Sequence, residues 1–172
     1  MANTYSLIST QTVPSGGAAS IVFSNIPQTF DDLVLHVSTR YDSTNQTQSL
    51  TFNGDTTNAN YNRGFYGMDF GAGTIFNYNI ADRGGAGLVN LSSYTASVFA
   101  SSKFYIGNYK SSTLNKSYIV YAGTENQAAA SFGAFVVNRW TSTAAISTIT
   151  LSSNGTFSQH STASLYGIST TV

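Results

Sequence analysis

Apolar residues in this chain recur at every second position, in short runs separated by glycine, asparagine and proline. A two-residue period marks a half-buried strand, because successive side chains of an extended chain point to opposite sides. "TYSLISTQTV" (4–13) opens the series, and Pro14, Gly16 and Gly17 turn the chain after it. "SIVFSNI" (20–26) aligns Ile21 with Phe23. "DLVLHVSTR" (32–40) sets Leu33, Leu35 and Val37 against Val34, His36, Ser38 and Arg40. Between these two, "IPQTFDD" is too short for a helix; Pro27 opens a turn and Phe30 folds back as a plug. "QSLTFNGD" (48–55) aligns Leu50 with Phe52. It ends on Asn53-Gly54, read as a hairpin turn in which Asp55 caps nearby backbone N–H groups.

The pattern then weakens. Residues 56–90 interleave Tyr61, Phe65, Tyr66, Phe70, Phe76 and Tyr78 with seven glycines, a composition that predicts long loops with one or two irregular strands, such as "TIFNYNI" (74–80). Such an excursion either carries function on a rigid scaffold or packs its rings over one end of the core. Strong alternation resumes in "SSKFYIGNYK" (101–110) and "KSYIVYAG" (116–123), close enough to form an antiparallel hairpin. "ASFGAFVVNRW" (130–140) and "AAISTITLSS" (144–153) follow. Ile146 is out of phase with Ile149 and Leu151, which predicts a bulge or a late strand start. "SNGT" (153–156) offers a turn, and "ASLYGIST" (163–170) is a last strand, where Gly167 leaves room for a cross-strand aromatic or a bulge. "YTASVFASS" (94–102) is the one weak helix candidate.

About eight to ten strands with glycine-rich turns and no alternation of strands with helices predict an all-β fold. It reads as an antiparallel β-sandwich, jelly-roll-like, with a closed barrel as the alternative. The 172 residues suit a single domain (1–172) with a substantial core, interrupted by the glycine- and aromatic-rich excursion at about 56–90.

Charge changes the picture. Lys and Arg number 7, Asp and Glu also 7, so charged residues make up 8% of the chain against roughly a quarter in ordinary domains. The polar surface is instead built from 47 Ser and Thr and 15 Asn. Its long-range field is weak, the scattered basic residues leave no footprint for nucleic acid, and packing against identical copies meets little repulsion. No run of about 18 apolar residues is present to insert in a membrane. The opening "MANTYSLISTQTVPSGG" has no basic start and apolar core of a signal peptide, so the expectation is a product made inside a cell. Asn45, Asn90, Asn115 and Asn154 match the glycosylation pattern, as chance allows in so Asn- and Ser-rich a chain.

The chemistry of catalysis is sparse. There is no Cys, no G-x-S-x-G, no H-E-x-x-H and no phosphate-binding glycine loop. His36 falls mid-strand and His160 in a turn, both read as surface imidazoles. Asp55, Asp69 and Asp82 have the oxygen chemistry of a calcium site, but no ligand spacing supports one, and polar turns account for them. The expectation is therefore no enzyme, with no catalytic, cofactor-binding or metal residue and no cofactor. The aromatics are the remaining chemistry. Tyr61, Tyr66, Tyr78, Arg139 and Trp140 are the candidate contacts, either to a glycan, by ring stacking beside Asn, or to another subunit, where Tyr, Trp and Arg anchor interfaces. For Trp140 core packing is the competing assignment.

One ordered set of segments carries a resemblance: "SIVFSNIPQTFDDLVLHVSTR", "LTFNGDTTNANYN", "FYIGNYK", "W-x-S-x-x-A-I-S-x-I-T-L" and the closing "STASLYGI". Spread over residues 20–168, it resembles the small structural proteins of tailed bacteriophages, those of marine and cyanobacterial phages above all. The resemblance implies a virion component, built into the tail or tail fibre or decorating the capsid. Its partners would be identical copies, as a trimer or larger set, and another virion protein. Host surface polysaccharide would be the ligand if the module is an adhesive one. The section 64–90 departs from that pattern, and no fibrous shaft is present. The segments are fold motifs, so no binding residue follows from them.

Overall fold

The computed structural model describes residues 5–42, 48–81, 87–126 and 131–169. Within them lie eleven strands: β1 (Ser6–Thr12), β2 (Ala18–Phe23), β3 (Asp32–Thr39), β4 (Ser49–Phe52), β5 (Tyr61–Asp69), β6 (Thr74–Ile80), β7 (Ala100–Ile106), β8 (Lys116–Thr124), β9 (Phe132–Trp140), β10 (Ile149–Phe157) and β11 (Thr162–Ile168). One short 3-10 turn, Asn58–Asn60, is the only helical element among the described residues.

The strands form two antiparallel sheets. The larger has the order β1-β11-β3-β7-β8-β9-β5-β6, and the smaller β2-β10-β4. The first strand therefore pairs with the last, and the second with the last but one. The chain changes sheet at every step from β1 to β5 and again from β9 to β11. This nested wrap is the jelly-roll arrangement of an antiparallel sandwich. Its large sheet is extended past β7 by β8, β9, β5 and β6, which brings the count to eleven rather than eight to ten.

The core lies between the sheets. Leu33 and Leu35 of β3, Phe104 and Ile106 of β7, Val120 of β8 and Leu165 of β11 point inward, as alternation requires. They meet Ile21, Phe23, Leu50, Phe52, Ile149 and Leu151 of the small sheet. Three strands are too narrow to cover eight. The small sheet ends at β4, whose Phe52 packs on Tyr61, Tyr118 and Trp140, and the β5–β6 end projects beyond it.

Several local expectations need correction. The strand expected at 74–80 is β6, but the described part of 56–90 is more regular than expected: β5 is a nine-residue strand hydrogen-bonded to both β9 and β6 with no register break. One of its two glycines, Gly67, fits because neighbouring rings occupy its space, whereas open space surrounds Gly64. A Cβ on Gly67 would sit 2.4 Å from the Phe76 ring. Asn53-Gly54 is a turn, with both φ positive (52° and 72°), but it leads from the small sheet to the large one instead of closing a hairpin. "SNGT" stays inside β10 as a bulge against β2, held by the Ser153 hydroxyl bonding to Gly155. Residues 94–102 form no helix. The carbonyls of Ser92, Tyr94, Thr95 and Val98 turn toward the Arg40 guanidinium, which leaves them unable to serve a helix.

Other expectations are met. The hairpin β7–β8 forms, β10 starts late at Ile149, and Phe30 does fold back: its ring covers Gly167, where a Cβ would meet ring atoms at 2.2 Å.

Candidate interaction surface

Trp140 ends β9 beside Tyr61, which begins β5, and the two rings stack with centroids 6.4 Å apart. Both are enclosed, 2% and 1% exposed, so neither ring face can reach a glycan or a neighbouring subunit. Their polar ends are spoken for. The indole Nε1 donates to Asp55 Oδ2 at 2.8 Å, and the Tyr61 hydroxyl donates to the Asp55 carbonyl while accepting from the Phe52 N–H. Asp55 also accepts from the Thr57 N–H and from Asn60 Nδ2. Desolvation pushes its carboxyl up, but these hydrogen bonds outweigh it and hold the group below its ordinary value. Asp55 thus locks the β4–β5 turn onto the core, beyond the local capping expected of it.

Asp69 and Lys116 are similarly engaged. Asp69 Oδ1 accepts from the N–H groups of Gly71 and Ala72 in the β5–β6 turn, and Asp82 lies outside the described residues. Lys116 is fully buried; its ammonium donates to the carbonyls of Ser111, Leu114 and Thr143 and closes the loop before β8. Burial lowers its pKa. Groups of three or more potential metal ligands are not found among the described residues.

Tyr66, Tyr78 and Arg139 are at the surface, but on opposite faces. Tyr78 of β6 faces the sandwich side. Its ring lies parallel on Phe65 at 4.8 Å, with the Arg63 guanidinium 5.2 Å above it. Tyr66 and Arg139 face outward, and Arg139 donates to Asn62 Oδ1 at 2.9 Å. The five candidates therefore do not form one site.

Two surfaces emerge instead. The first is the outer face of the large sheet. Register aligns His36, Lys103, Tyr121, Phe135, Tyr66 and Asn77 as one row across six strands, β3, β7, β8, β9, β5 and β6. Tyr121 and Phe135 touch, with centroids 5.3 Å apart. Beside the row run two shallow depressions of about 380 and 410 Å³ that share Ser101 and Lys103. Serines floor the first, and the paired Gly123 and Gly133 floor the second. His36 is held below its ordinary pKa by partial burial and then by the Lys103 ammonium.

The second surface is the β6 edge. All seven residues of β6 are exposed, apolar side chains stand on both its faces, and it carries no charge. Ile75 is 75% exposed; Tyr66 and Met68 extend the apolar zone onto β5, and Phe70, just after β5, carries it over Gly133 of β9. Alternation in the sequence sets His36, Lys103 and Tyr121 on the face away from the core, whereas Tyr66, Met68 and the β6 residues fall in the stretch that reads as loop. Their alignment into a row and an edge depends on strand order, which a single sequence does not encode. Comparison with protein-family models, curated proteins and solved structures finds no match to this chain.

Proposed function

We propose that this protein is a non-enzymatic structural module of a virus particle of the tailed-bacteriophage kind, assembling in the tail or on the capsid. The observation that carries the reading is the β6 edge. An uncharged, apolar strand whose outer edge has no partner strand among the described residues is a liability in a free monomer and an asset in an assembly. The weakly charged surface supports the same reading, and the particle setting rests on the motif resemblance described above. Mass spectrometry and immunogold labelling of purified particles test it. The protein is expected at a fixed copy number in particles, and its absence from them would sink the reading.

The outer-face row favours a second reading, an adhesion module for neutral surface polysaccharide. Rings in a line beside a hydroxyl-rich floor suit sugar faces and their hydroxyls. A glycan array decides it: binding should fall at least tenfold in Tyr121→Ala and Phe135→Ala. Binding unaffected by either change, or absent in the unmodified protein, rejects it.

A further inference from the structure

We infer that the β6 edge is a self-pairing interface. β6 of one copy joins β6 of a second copy in antiparallel fashion about a two-fold axis through Asn77, giving a continuous sixteen-stranded sheet. The inference rests on the assembly reading above and names its contact.

Natural sheets blunt their edges with lysine, proline or bulges. Among the described residues the other edge of the large sheet, β1, is broken by a register shift between Leu7 and Ser9. β6 has none of these devices: its register with β5 is unbroken over all seven residues, and Thr74–Ile80 holds no proline and no charge. Among the described residues its outer backbone is therefore a regular template with none of these guards.

The register follows from symmetry. Residues opposite each other in an antiparallel pair share a face, so a two-fold axis normal to the sheet must place one residue opposite its own copy. Only an axis at Asn77 pairs all seven residues. It sets Phe76 against the Tyr78 of the second copy, and Tyr78 against its Phe76. The aromatic stack that β6 already makes on Phe65 would thereby continue across the axis. On the outer face Asn77 meets Asn77, and Ile75 meets Asn79.

The area sets the strength of the contact. Of the β6 side chains, Ile75, Phe76, Tyr78 and Ile80 are between 39% and 75% exposed. At about 200 Å² per side chain this is roughly 400 Å² on each copy, half the ~800 Å² per partner of a standard interface, so each contact is a weak one that gains strength by repetition in an assembly. A closed two-fold contact makes a dimer or an even-numbered set, so of the trimer or larger set that the resemblance implies it favours the larger, even-numbered ones.

The absence of cysteine gives a clean test in the full chain. Asn77→Cys is expected to form a disulfide-linked dimer under mild oxidation. Asn79→Cys is not, because the two copies of residue 79 lie about 14 Å apart in this register, beyond disulfide reach. Asn77→Lys alone and Asn77→Asp alone should each weaken dimerisation at least tenfold by sedimentation, since like charges then face each other. An equal mixture of the two should restore it. If the protein associates but residue 77 neither cross-links nor responds to charge, the interface lies elsewhere; the inference falls and the assembly reading stands. A protein that is monomeric at millimolar concentration also overturns the inference, while the particle assay decides the assembly reading separately.

Discussion

Gly167 and Phe30 form a lock whose two halves can be tested against each other. Phe30, from the loop between β2 and β3, lays its ring over Gly167 of β11. Adding a Cβ at Gly167 would put a methyl 2.2–2.6 Å from three ring atoms, so ring and methyl cannot coexist. In Gly167→Ala the ring must leave. Phe30 is half-buried, so the lost burial is about 1.5 kcal/mol, half the value for a fully buried ring. Alanine returns about 0.5 kcal/mol, because glycine loses more backbone freedom on folding and the φ of Gly167 is not in the left-handed region. The net expectation is a destabilisation of about 1 kcal/mol, or roughly 2–4 °C in Tm for a domain of this size. In Phe30→Ala the obstruction is already gone. There the same Gly167→Ala change should stabilise by about 0.5 kcal/mol, so the effect reverses sign. Urea unfolding followed through the fluorescence of Trp140, the sole and buried tryptophan, measures all four corners of the cycle. The same sign in both backgrounds would refute the packing argument.

Three further outcomes are expected. Asp55→Ala should destabilise by about 1–3 kcal/mol in urea melts, because the buried indole N–H of Trp140 loses its acceptor. The Asp55 carboxyl lies below its unfolded value, so its contribution is present above that value and drains away as pH falls through the folded one. The acid limb of stability should therefore flatten in Asp55→Asn. His36 should titrate below 6.5 by NMR and move upward in Lys103→Gln. Its protonation is disfavoured in the fold, so stability should decline as pH drops through 6.5, a slope that His36→Gln removes. Deleting residues 161–172 removes β11 from between β1 and β3, and circular dichroism should show loss of the cooperative fold.

The sandwich was legible in the sequence because burial on one face imposes a period of two, as in Leu33, Leu35 and Val37. The excursion at 56–90 was not, because β5 pairs its apolar positions with Gly64 and Gly67. Those glycines read as loop in isolation, and become strand only when Phe76 is known to lie over one of them. Trp140 and Tyr61 illustrate the same limit: amphipathic rings suit a surface or a core, and here the acceptors supplied by Asp55 settle them inside. Tyr66 was legible as a surface ring, but its row with Phe135, Tyr121 and Lys103 joins four strands whose order in space differs from their order in the chain.

The nested wrap also governs timing. β1 finds its partner β11 only after some 150 intervening residues are in place, as the pairing of Leu7 with Tyr166 shows. Pairings so distant in sequence form slowly, whereas the β5–β6 and β7–β8 hairpins close over a few residues. During synthesis the hairpin bearing the exposed edge would therefore be ready while the sandwich beneath it was still open. With β6 as the self-pairing edge inferred above, nascent chains on neighbouring ribosomes would meet there first, and holding that edge apart until β11 is laid down would be a task for chaperones or for dilution.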